Sequence, residues 1–302
     1  MPSILSEKHF HDEAAAYAFV EGLIWANGPT CPHCGGVERI SKMEGKSTRI
    51  GVYKCYQCRK PFTVKIGTIF ESSHIPMRYW LQAIHLISSS KKGISANQMH
   101  RTLGITLKSA WFMCHRIREA MKSNSIEPLG GAGKIVEADE TFVGMKVGFK
   151  RSRGGVHKMK VLSLVERGGH VRSQRLAMLS RSGIEQAIRD NVHPESRIMT
   201  DTAPYYRRDL LGFAGHEKVN HLKDEYVRGE AYTNTLEGYF SLFKRGMRGV
   251  YQHCREKHLH RYLAEFDFRY NNRVALGVND EGRAANLVQS VVGKRLTYRT
   301  IN

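Results

Sequence analysis

Cys31-Pro32-His33-Cys34 and Cys55-Tyr56-Gln57-Cys58 form two C-x-x-C pairs with twenty residues between them. Four thiolates so spaced can close a tetrahedron about Zn²⁺, which forces the intervening chain to fold back on itself. Paired disulfides are the competing reading, but they need an oxidising compartment, and no secretory segment opens the chain. His33 lies inside the first pair, yet four sulfurs already fill the site. One structural Zn²⁺ on Cys31, Cys34, Cys55 and Cys58 is therefore expected. Cys114 and Cys254 fall outside the spacing.

Composition narrows the partner. Among 302 residues, 47 Lys and Arg stand against 28 Asp and Glu, a net charge of +19. Such an excess favours a polyanion, either nucleic acid or an anionic membrane surface. No run of about 18 apolar residues is present, so nucleic acid is the better partner and no membrane is expected. A chain of this length exceeds one comfortable core, and two or three domains follow.

A first helical pattern runs from Phe10 to Trp25 with Asp12 as its cap, and Asn27-Gly28-Pro29 ends it. Arg49, Tyr53, Lys54, Tyr56, Arg59, Lys60 and Phe62 cluster between and after the cysteine pairs. The whole module, residues 1–70, looks like a helix followed by a zinc ribbon. Residues 71–123 read as three helices, with the turn Leu103-Gly104-Ile105 before the third, a helix-turn-helix-like pattern. On the third, Ala110, Cys114, Ile117 and Met121 make an inward stripe, leaving Lys108, Ser109, His115, Arg116 and Arg118 as candidates to face a DNA groove. A packing domain without DNA contact is the plainer alternative.

Residues 124–133, with Pro128 and several glycines, read as a linker. From 134 to 302 the texture changes to strands at Ile135 to Val143, Met159 to Glu166 and Val171 to Leu179, a helix at Ile184 to Asn191, and a strand at Arg197 to Thr200. Tyr232 to Gly246 then reads as a helix with Asn234 as N-cap, Glu237 closing a capping box, and Leu236, Phe240, Phe243 and Met247 on one apolar face. Glu237, Ser241 and Lys244 share another face. A final helix spans about Glu256 to Asn271.

Asp139 precedes Asp201 by 62 positions, and Asp201 precedes Glu237 by 36. Two aspartates on strands and a glutamate on a helix offer the hard oxygen ligands that Mg²⁺ requires. Two such ions could clamp the attacking and leaving oxygens of a phosphoryl displacement. Glu137 and Glu140 flank Asp139 as rivals; on a strand Glu137 shares its face, whereas Glu140 points away.

Asp139, Asp201 and Glu237, with Lys244 seven residues after the glutamate, resemble the DDE triad of insertion-sequence transposases. Asn234-x-x-Glu237, Lys244-Arg245-Gly246 and the run from His258 to Asn271 are similar to the ISXO-like branch. That resemblance implies an α/β fold, a mixed sheet of ribonuclease-H-like type that brings the first strand beside the fourth and Asp139 near Asp201. It implies two Mg²⁺ (or Mn²⁺) on Asp139, Asp201 and Glu237, cleavage at element ends, and joining of the 3′-OH to target DNA. Its partners would be double-stranded DNA, both inverted repeats and target, bound by a homodimer on the prokaryotic, cytoplasmic nucleoid. The basic loop with Lys150, Arg151 and Arg153, together with Lys244 and Arg245, would meet phosphates. Two alternatives stand beside it: a catalytically silent DNA-binding regulator and a nuclease that only hydrolyses.

Overall fold

The computed structural model describes residues 3–150, 155–206, 210, 212–219, 227 and 229–297. The chain divides into two compact units, one of residues 1–122 with 278–302 and one of residues 123–277.

In the first unit, α1 (Glu13–Ile24) starts where Asp12 Oδ1 accepts the Ala15 N–H at 2.7 Å. Three short antiparallel strands follow, β1 (Ile40–Lys42), β2 (Tyr53–Cys55) and β3 (Pro61–Phe62). Phe62 packs with Cys31, Cys55, Trp25 and Tyr53 in a small core that could not hold so short a sheet unaided. The helices α2 (Met77–Ser89), α3 (Ala96–Leu103) and α4 (Leu107–Ala120) come next. Gly104, at φ 66°, takes the left-handed position that ends α3, and Thr106 caps α4. The expected inward stripe of α4 is buried. Sequence periodicity did not reveal α8 (Asp280–Gln289), which belongs to this unit and packs on α2. Its Arg283 donates to the Ser88 carbonyl at 3.2 Å. The sequence pattern runs the last domain through to residue 302, whereas the second unit ends at Gly277.

The second unit is a five-stranded mixed sheet. β4 (Ile135–Val143), β5 (Met159–Glu166) and β6 (Val171–Leu176) form an antiparallel meander. After α5 (Arg181–Asn191), β7 (Arg197–Asp201) pairs parallel to β4, and β8 (Gly215–Val219) parallel to β7, giving the order β6-β5-β4-β7-β8. Alternation sorts the side chains. Val136, Ala138, Leu162, Leu164 and Ile198 meet α5 on one face. On the other, Val143, Val161, Val165 and Val171 meet α6 (Asn234–Gly246) and α7 (Leu259–Asn271). Asp267 of α7 accepts from the Ser173 N–H at 2.8 Å, and Asn271 holds both backbone groups of Val171, so the outer strand β6 is partly closed by a helix. The expected linker is partly built into this unit. Leu129 N–H donates to the Asn191 carbonyl at 2.8 Å, and Gly130, at φ 87°, lies where a Cβ would meet Ser196 Oγ at 2.1 Å.

Candidate functional site

The β4–β7 ladder pairs Ile135 with Arg197, Val136 with Ile198 and Glu137 with Met199. Two residues further along each strand, in the same register, come Asp139 and Asp201. Neighbouring strands lie about 4.8 Å apart, and both aspartates occupy the face that α6 covers. Burial raises the Asp139 carboxyl well above the usual range, and the charges of Asp201, Glu140 and Glu237 push it the same way. Asp201 caps its own turn by accepting the Ala203 N–H at 2.9 Å. Glu237 is exposed in the first turn of α6.

The start of α6 is held by a residue on β4. No side chain caps at Thr233, and Asn234 is the first helical residue rather than the expected N-cap. Glu137, 0% exposed, supplies the acceptor instead. Its carboxylate takes the Leu236 N–H at 3.0 Å and the Thr235 hydroxyl at 2.8 Å. Arg167 completes the tie. It pairs with Glu137 at 2.7 Å, donates to the Glu230 and Tyr232 carbonyls, and lies 3.4 Å over the Tyr232 ring. Glu137 therefore clamps the helix carrying Glu237 to the strand carrying Asp139. The i, i+2 spacing was the sequence signal for a shared face, but its role depended on which helix came to lie there. Glu140 points to the opposite face as expected, where the Tyr206 hydroxyl donates to it at 3.0 Å. Burial and the Asp201 charge raise it to about 7.

Lys244, on the second turn after Glu237, is half-buried with its ammonium 5.9 Å from the Phe240 ring centre. Burial lowers its pKa, the Asp139 charge opposes that, and Arg248 and Lys158 lower it further. It lines a cavity of about 950 Å³ with Phe142, Met145, Lys158, Met247 and Arg248. Arg245 and Lys150 are exposed. Arg151 and Arg153 lie outside the described residues.

The cysteines converge. Cys31 and Cys58 sulfurs are 3.6 Å apart, Cys34 and Cys55 sulfurs 3.7 Å, and all four lie within 4.8 Å of one another. A disulfide needs about 2.05 Å. A tetrahedron with Zn–S bonds of about 2.3 Å has edges of about 3.8 Å, so the set fits Zn²⁺. Backbone N–H groups of Cys58 and Gln57 draw the Cys55 thiol down to about 7, towards the thiolate a metal needs. Among the described residues this is the group of three or more His, Cys, Asp or Glu drawn that close.

Three expectations on α4 are corrected. Arg116 is 7% exposed and donates to the Ile69 and Leu296 carbonyls at 2.9 and 3.1 Å, and Arg118 is 2% exposed. His115 is buried as well. Helical periodicity placed them on a solvent face because the sequence did not show that the chain's end returns to cover α4. Lys108 stays exposed and Ser109 half-buried. No helix among the described residues is long and apolar enough to cross a membrane.

Comparison with known proteins adds the following. Residues 128–271 match the family described as ISXO2-like transposase domain, and residues 11–61 the transposase zinc-ribbon domain. An uncharacterized protein in transposable element ISH50 of Halobacterium salinarum is 28% identical over 286 residues, 87% of this chain and 92% of that protein. A solved chain of the simian T-cell lymphotropic virus intasome in complex with PP2A regulatory subunit B56 gamma aligns over 56% of this chain and 63% of its own length, under two thirds. Its TM-score is 0.28 at 15% identity, too slight a likeness to build on.

Proposed function

We propose that this protein is a DDE transposase that cuts element ends and joins them to target DNA, a reading supported by the match of residues 128–271 to the ISXO2-like transposase family and of residues 11–61 to the transposase zinc-ribbon family. The observation that carries the reading is the matched register of Asp139 and Asp201 on parallel strands, with the Glu237 helix clamped to the same strand through Glu137. The strand order β6-β5-β4-β7-β8, antiparallel then parallel, supports assigning the unit to the ribonuclease-H-like class.

Burial first, and then the charges of Asp201, Glu140 and Glu237, raise the Asp139 carboxyl, and a divalent cation would favour its ionised form. Asp139, Asp201 and Glu237 would hold Mg²⁺ or Mn²⁺. Two such ions supply Lewis-acid stabilisation of the oxygens entering and leaving phosphorus. The chain's own contribution is placement. The sheet fixes the two aspartates, and Glu137 fixes the angle at which Glu237 approaches them. Lys244 is the cation placed to neutralise a phosphate beside the one being cut. The ribbon and the helical region, through Lys108 and Ser109, would bind the element ends, with two copies bringing two ends together.

A strand-transfer assay with a pre-cut end and a plasmid target tests this. Wild type should join, while Asp139→Ala, Asp201→Ala and Glu237→Ala should bind the end but neither cut nor join. Hydrolysis without joining by the wild type would point to a plain nuclease. Binding with neither reaction would point to a silent regulator. Lys244→Met should fold, slow joining, and lower the salt dependence of end binding by somewhat less than one unit of slope.

A further inference from the structure

The cavity beside Lys244 has two chemistries. Three cations stand at it, Lys158 and Arg248 exposed and Lys244 half-buried, close enough for the first two to press on the third. Phe142, Met145 and Met247 line the same cavity and give it apolar surface beside its polar surface. Paired duplex DNA presents phosphate and sugar at its surface and keeps its bases stacked inside. It can satisfy the cations but not the apolar side chains. An unstacked nucleotide satisfies both, because its phosphate is an anion and its base has two flat faces that pack on thioethers and aromatic rings.

We propose that this cavity binds one unstacked nucleotide of the DNA strand, its phosphate among Lys158, Lys244 and Arg248 and its base against Phe142, Met145 and Met247. This rests on the transposase reading, since it needs DNA at the site. It adds that the strand is held locally unpaired next to Asp139, whose charge reaches Lys244. Taking a base out of the stack costs a few kcal/mol, least where it is already unpaired. The site should therefore prefer DNA with a defect at the bound position.

Full-length protein without Mg²⁺ is titrated with three labelled duplexes of one sequence. The first is fully paired, the second carries one unpaired thymidine, and the third carries an abasic residue in place of that thymidine. The unpaired thymidine should bind at least about fivefold tighter than the abasic duplex, the lower end of what a base–side-chain stack contributes. Met145→Ser, at a half-exposed position, should remove an apolar contact to the base and reduce that preference while melting like wild type. Arg248→Gln should weaken all three duplexes and lower the salt slope by about 0.9. Equal affinity for the thymidine and abasic duplexes overturns the proposal, as does an undiminished preference in a normally melting Met145→Ser. Wild type that binds the paired duplex without preference leaves the transposase reading standing. Wild type that binds none of the three removes both.

Discussion

The Glu137 carboxylate on β4 accepts the backbone N–H of Leu236 at 3.0 Å, so the first turn of α6 is capped by a residue ninety-nine positions earlier in the chain. An N-cap is ordinarily a local side chain. Here the cap also ties the helix carrying Glu237 to the strand carrying Asp139.

Glu137→Ala should lower stability by about 3 kcal/mol, since it strips the carboxylate from a half-buried Arg167 and leaves the Leu236 N–H unpaired. Glu137→Gln keeps an acceptor and should cost about half of that. Urea unfolding measures both. Joining activity should fall for Glu137→Ala even at temperatures where the protein remains folded, because Glu237 loses its fixed approach.

The metal-free protein should lose stability as pH rises. Asp139 and Glu140 have folded pKa values above their unfolded values of about 4, Glu140 reaching about 7. The folded state thus binds more protons across that interval, and its advantage shrinks as pH climbs through it. Melting temperature without metal should decline from pH 5 to pH 8. Mg²⁺, which favours the ionised carboxylates, should restore it most at the upper end. Asp139→Asn should flatten the decline, and a slope unchanged in that variant would remove Asp139 from the cause.

Purified without chelators, the protein should carry one zinc per chain by elemental analysis. Removing it should open the region around Cys31 and Cys55 to protease while the 123–277 unit stays resistant, because metal binding and folding are one equilibrium in such a small sheet. Cys55→Ser should reproduce the effect. A full zinc complement in that variant would move the site elsewhere.

Arg116→Ala should destabilise the first unit by about 1–3 kcal/mol, the cost of leaving the Ile69 and Leu296 carbonyls unpaired. Its DNA affinity, measured where both proteins are folded, should equal wild type. Lys108→Ala should do the reverse, weakening DNA binding with stability within about 0.5 kcal/mol.

The zinc site was legible because its chemistry is local. Two C-x-x-C pairs determine a tetrahedron almost wherever the intervening chain goes, and the sulfurs lie at the edge lengths that Zn–S bonds require. Strand periods were equally plain, and β4 and β5 run over the residues their alternation predicts. The roles of Asp139, Asp201 and Glu237 came into the sequence reading through resemblance. Only the tertiary structure put the two aspartates in matching register, since pairing β4 with β7 depends on a crossover through α5 that no local pattern encodes. It alone gave Glu137 its partners ninety-eight and ninety-nine residues away. It also buried Arg116 and Arg118, because helical periodicity tells which residues share a face but not what later covers it. Short-range spacing is set by covalent geometry and can be read from the chain, whereas burial is set by whichever distant segment arrives.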